Sequence, residues 1–64
     1  MKSPTPEEIK ALREEAKLTQ ARMAELIGVT DRAFRYYEAG QREMPYSAWQ
    51  LLKIIVESRK PEHD

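Results

Sequence analysis

The 64-residue sequence has no cysteine, one histidine, two glycines and no net charge. Each shortage removes a class of explanation. Without cysteine, neither a disulfide framework nor a cysteine-based metal site can stabilise a small fold. The one histidine, His63, stands in the polar stretch Glu62-His63-Asp64 with no partner cluster, which leaves no basis for a metal site or a general base. Gly28 and Gly40 are isolated, so there is no glycine-rich phosphate loop. A serine–histidine–aspartate set is also missing, and no cofactor is expected. No apolar run approaches the length of a membrane span, and no signal-peptide pattern is present. The expectation is a soluble, cytoplasmic protein without enzymatic activity, a membrane partner or a small-molecule substrate.

Eleven Lys and Arg balance eleven Asp and Glu. A protein held to nucleic acid by charge alone is usually strongly basic, which disfavours a non-specific binder. The charges are unevenly spread, however. Between residues 17 and 42, Lys17, Arg22, Arg32, Arg35 and Arg42 outnumber Glu25, Asp31 and Glu38, a local charge of +2. The pairs Glu7-Glu8 and Glu14-Glu15 lie outside this stretch and read as solvated helix surface rather than acid–base machinery. The length allows one domain, residues 1–64, with one small core.

The pattern is helical throughout. Thr5-Pro6-Glu7-Glu8 is a helix-start signature, and Ile9, Leu12 and Ala16 recur at helical spacing, which predicts a first helix to about Lys17. Residues 1–4 read as a loose arm, and Leu18 as an apolar plug between helices. A second helix starts at Thr19, shows Met23, Ala24 and Ile27 on one face, and stops at Gly28. Val29 turns inward and Thr30 caps a third helix that runs to Glu38 or Ala39, with Phe34 and Tyr37 buried. Gly40 is the next stop. Gln41 to Pro45 form a loop, with Met44 held extended by the following proline. The last helix is expected from Tyr46 or Ser47 to about Ser58, with Trp49, Leu52, Ile55 and Val56 as its stripe and Leu51 and Ile54 widening it. Residues 60–64, beginning around Pro61, are expected to be flexible.

The second and third helices carry the functional signal. Ala24 provides a small residue where they must cross, and the tight turn needs Gly28 four residues later. An ordinary helical hairpin would satisfy the same spacing. The outward side of the third helix tips the balance. An inert solvated face would carry Glu, Lys and Gln in supporting pairs. Here Arg32, Arg35, Ala33 and Tyr36 stand there instead. Arginine offers a fork that fits guanine O6 and N7, a small methyl such as that of Ala33 suits the thymine methyl, and Tyr36 can pack on sugar or base. Asp31 in the first turn favours the helix dipole. These features predict a helix-turn-helix whose third helix enters the major groove of double-stranded DNA.

The stretch LTQARMAELIGVTDRAFRYYEAGQR, residues 18–42, resembles the helix-turn-helix of the lambda-repressor and Cro-like family, also called the XRE family. The matching features are Leu18-Thr19-Gln20, the small Ala24, the Gly28-Val29 turn, and Glu38-Ala39-Gly40-Gln41-Arg42. The resemblance covers residues 6 to about 56 and implies an all-α, compact four-helix DNA-binding domain. The segment Asp31 to Tyr37 is also similar to the reading helix of small phage regulators that accompany anti-CRISPR genes, which implies a prokaryotic or phage origin. By the resemblance, Thr30, Arg32, Ala33, Arg35 and Tyr36 face bases. Thr19 and Gln20, with Lys17 and Arg42 beside them, meet backbone phosphates. Arg13 and Glu38 would form an ion pair tying the first helix to the end of the third. Two departures stand out: Pro45 lies one residue later than in many members, and the usual fifth helix is missing or merged into the last.

A single half-site recurs too often in a genome to be specific, so a homodimer reading an inverted repeat in its own promoter, as a repressor, is expected. Tyr46, Trp49, Leu51, Ile54 and Ile55 on the last helix are the candidate contact. The competing expectation is an antitoxin-type interaction module that neutralises a partner protein. Its mark would be a toxin-wrapping segment, which is not seen in these residues.

Overall fold

A computed structural model of the chain describes residues 2–59. Its elements are α1 (Pro6–Ala16), α2 (Gln20–Ile27), α3 (Asp31–Ala39) and α4 (Tyr46–Arg59), with no strand among the described residues. The fold is all-α. The expected cytoplasmic character has only a negative counterpart: among the described residues, no helix is long and apolar enough to cross a membrane.

Three helices begin in the same way. Thr5, Thr19 and Thr30 have extended backbones, and each hydroxyl accepts the amide N–H three residues on, at 3.1, 3.1 and 3.0 Å. Each bond satisfies a donor that the first helical turn would otherwise leave open. At Thr5 the box is complete, because Glu8 Oε1 accepts the Thr5 amide at 2.9 Å. The same three helices end on a left-handed residue: Lys17, Gly28 and Gly40, with φ of 59°, 73° and 82°. Glycine suits the last two. Lys17 adopts the conformation against its own Cβ, so α1 closes one residue before the expected end.

The core is built from Ile9, Met23, Ala24, Phe34, Tyr37, Met44, Leu52 and Val56, with Leu12, Ala16, Leu18, Ile27, Val29, Ala48 and Trp49 packed around it. Phe34 and Tyr37 meet edge to face, with ring centroids 6.4 Å apart. α2 packs on both α3 and α4, while α1 packs on α3. Ala24, on α2, is buried in this core, where a larger side chain would push its neighbours apart.

Two residues outside the helices are more buried than periodicity indicates. Within the segment expected as a loose arm, Pro4 is buried and Ser3 half-buried. The apolar proline ring gains more from contact with the domain than from solvent. Met44, expected only as an extended loop residue, is fully buried; it is the one large apolar side chain in the loop, and it fills core space that the helices leave open. Pro61, His63 and the expected flexible segment 60–64 lie outside the described residues.

Candidate nucleic-acid interface

The candidate surface begins at the N-termini of α2 and α3, where the capping residues Thr19 and Thr30 are exposed. In α2, Thr19 uses its hydroxyl for the Arg22 amide and its carbonyl for the Met23 amide. The amides of Gln20 and Ala21, the first two helical residues, have no intrahelical acceptor and carry the positive end of the helix dipole. Thr19 and Lys17 are exposed beside them.

The Gln20 side chain is engaged within the domain. Its Nε2 donates to Glu38 Oε1 at 2.9 Å, in a partly buried setting. Glu38 also accepts from Arg13, through Nε at 2.5 Å and Nη2 at 3.3 Å, and Arg13 Nη1 reaches the Leu18 carbonyl at 3.2 Å. One carboxylate at the end of α3 therefore ties together α1, the start of α2 and α3. With side-chain exposures of 18% for Arg13 and 7% for Glu38, this pair is shielded from water. Shielding makes such a pair a fixed joint rather than a surface ornament.

α3 presents the rest. Thr30, Arg32, Ala33 and Tyr36 line one shallow depression, and Arg42 from the following loop completes it. Arg32 Nε donates to the Tyr36 phenolic oxygen at 3.0 Å. Arg35 takes a different partner and pairs with Asp31 at 3.0 Å, in an exposed i,i+4 arrangement. So the two arginines that stand three residues apart in sequence are brought to separate neighbours. Asp31 faces a second depression, with Thr19, Arg22 and Glu25, and Arg22 and Glu25 form their own exposed pair at 2.7 Å.

The candidate dimer residues divide. Trp49 is half-buried against the core, with the Lys53 ammonium 5.6 Å from its ring. Tyr46 is half-buried, and Gln50 Nε2 approaches its hydroxyl at 3.4 Å. Leu51 and Ile54 are the exposed large apolar residues, at 45% and 65%, and Ile55 beside them is half-buried. Among the described residues, no group of His, Cys, Asp and Glu is placed to hold a metal ion.

Sequence reasoning missed the turn of Gln20 toward Glu38 and the convergence of Arg42 on Tyr36. The first had a partial signal, since a carboxylate oxygen has two lone pairs and Glu38 Oε1 can accept from Gln20 as well as from Arg13. The second had none, because it depends on how the loop after Gly40 folds back. A sequence model of the family described as a helix-turn-helix domain matches residues 7–54. No curated protein gives a significant match.

Proposed function

This chain belongs to the helix-turn-helix domain family, of the lambda-repressor-like kind, and from that premise we propose that it is a sequence-specific DNA-binding regulator. α3 enters the major groove with Thr30, Arg32, Ala33, Arg35 and Tyr36 toward base edges. The observation that carries this reading is the single depression formed by Thr30, Arg32, Ala33, Tyr36 and Arg42 on the outward side of α3. It gathers forked donors, a hydroxyl and a methyl where a base pair offers acceptors and a thymine methyl.

Arg35 joins the readout by exchanging Asp31 for DNA. An exposed i,i+4 pair is worth only about 0.3–0.5 kcal/mol, so the exchange costs little beside a bidentate base contact of about 1–3 kcal/mol. The start of α2 docks on the backbone. There the Gln20 and Ala21 amides, the Thr19 hydroxyl and the Lys17 ammonium receive a phosphate, while the Gln20 side chain holds the helix in place through Glu38. Phosphate contacts set the register, and base contacts choose the sequence.

The protein works as a homodimer on an inverted repeat and represses its own promoter. Leu51 and Ile54, exposed on α4 beside Ile55, support a self-complementary apolar contact on the two-fold axis, with Tyr46 and Trp49 at its margin. Selection of bound duplexes from a random pool tests the reading. An enriched motif with two-fold symmetry is expected, and a pool that stays random would overturn it.

A further inference from the structure

Two guanidinium groups converge on the ring of Tyr36. The Cζ of Arg32 lies 5.8 Å from the ring centroid and that of Arg42 lies 5.6 Å away. Both are within the roughly 6 Å over which a cation is attracted to an aromatic face. Arg32 comes from one turn earlier in α3 and is pinned further by its bond to the phenolic oxygen. Arg42 arrives from beyond Gly40, the left-handed cap that redirects the chain after α3. The acids of the ion pairs go elsewhere: Glu38 to Arg13, Glu25 to Arg22, and Asp31 to Arg35. The ring thus gathers two positive forks at one depression, and their combined potential favours an acceptor that both can reach.

We propose that Tyr36 is a positioning residue that holds Arg32 and Arg42 as one recognition unit, and that Arg42 reads a guanine edge rather than a backbone phosphate. The inference rests on the DNA-reading assignment above and deepens it. Its ground is placement. Arg42 shares its depression with Thr30, Arg32, Ala33 and Tyr36 on α3, whereas the amides suited to a phosphate lie at the start of α2. The ring contact, 5.6 Å from Cζ to centroid, also draws the Arg42 guanidinium toward Tyr36 and so toward the side chains of α3 before binding.

The test uses the full chain and the motif it selects, with affinity measured for every single-base change in that motif. The Arg42→Ala variant is expected to lose about tenfold preference at one base pair, the size of one bidentate contact, with little change elsewhere. Tyr36→Leu should flatten that same position together with the one read by Arg32. Tyr36→Phe keeps the ring and should preserve the Arg42 position. If Tyr36→Leu does not fold, as its circular dichroism will show, the other two variants decide the matter. Uniform weakening of all sequences by Arg42→Ala, with a shallower salt dependence, would make Arg42 a phosphate contact and overturn the proposal. So would loss of preference at the Arg42 position in Tyr36→Phe, which would make the hydroxyl itself the reader. A wild-type chain that selects no motif would remove the DNA-reading assignment and this proposal together, whereas a motif unaffected by Arg42→Ala would remove this proposal alone.

Discussion

Lys17 holds a left-handed backbone that costs a residue with a Cβ about 1–2 kcal/mol; the capping bonds this turn makes to the Arg13 and Glu14 carbonyls are backbone bonds that glycine would keep. Lys17→Gly should therefore raise stability by about 1 kcal/mol, seen as a higher urea midpoint at unchanged slope. If its ammonium meets a phosphate, the same change should also reduce the salt slope of DNA binding by about 1 per protomer. Stability and binding would then move in opposite directions. Glu38 sits at the other extreme. Its carboxylate receives Arg13 and Gln20, and its removal leaves the Arg13 guanidinium partly buried with the Leu18 carbonyl as its remaining acceptor. Glu38→Ala should cost about 2–4 kcal/mol in the same titration, against about 1 kcal/mol for Gln20→Ala. Glu25→Ala breaks only the exposed pair with Arg22 and should change stability by less than about 0.5 kcal/mol. Equal losses at Glu38 and Glu25 would contradict the shielded joint.

At the scale of the helices, the boundaries were legible because caps are local. Thr5, Thr19 and Thr30 announce starts through a hydroxyl that reaches three residues ahead, and Gly28 and Gly40 announce ends through a conformation that glycine adopts freely. The buried stripes of α1, α2 and α3 were legible for the same reason, since periodicity needs only the neighbouring turns. Pro4 and Met44 were not. Each lies in a segment without periodicity, and its burial is decided by distant elements that pass over it. Arg42 escaped for a related reason: its neighbour Tyr36 lies across the turn at Gly40, where spacing says nothing about direction. α4 was read correctly as broader than the core requires, and its excess is now confined to Leu51 and Ile54 with the half-buried Ile55. Leu51→Glu with Ile54→Lys should leave the melting of the isolated protomer nearly unchanged. The same pair should halve the sedimenting mass at micromolar concentration and weaken operator binding, although no DNA-facing side chain has changed. An unaltered mass would remove α4 as the contact.

The described domain measures 39 × 25 × 19 Å, with the proposed reading surface on α3 and its apolar excess on α4. Two such units joined on a two-fold axis are of a size to place their reading helices about 34 Å apart, one turn of DNA. A neutral net charge suits this arrangement. On the proposed reading, binding to arbitrary DNA stays weak, and preference comes from the few side chains that meet base edges. The central claim is that those side chains stand on α3 and enter the major groove. Methylation interference on the selected operator tests it most directly, because guanine N7 lies in the major groove and adenine N3 in the minor groove. Methylation of N7 at the motif guanines should block binding by the wild-type chain, methylation of N3 at its adenines should not, and Arg32→Ala should become indifferent to one of the blocked guanines. Binding that tolerates N7 methylation throughout the motif but fails on N3 methylation would contradict the account.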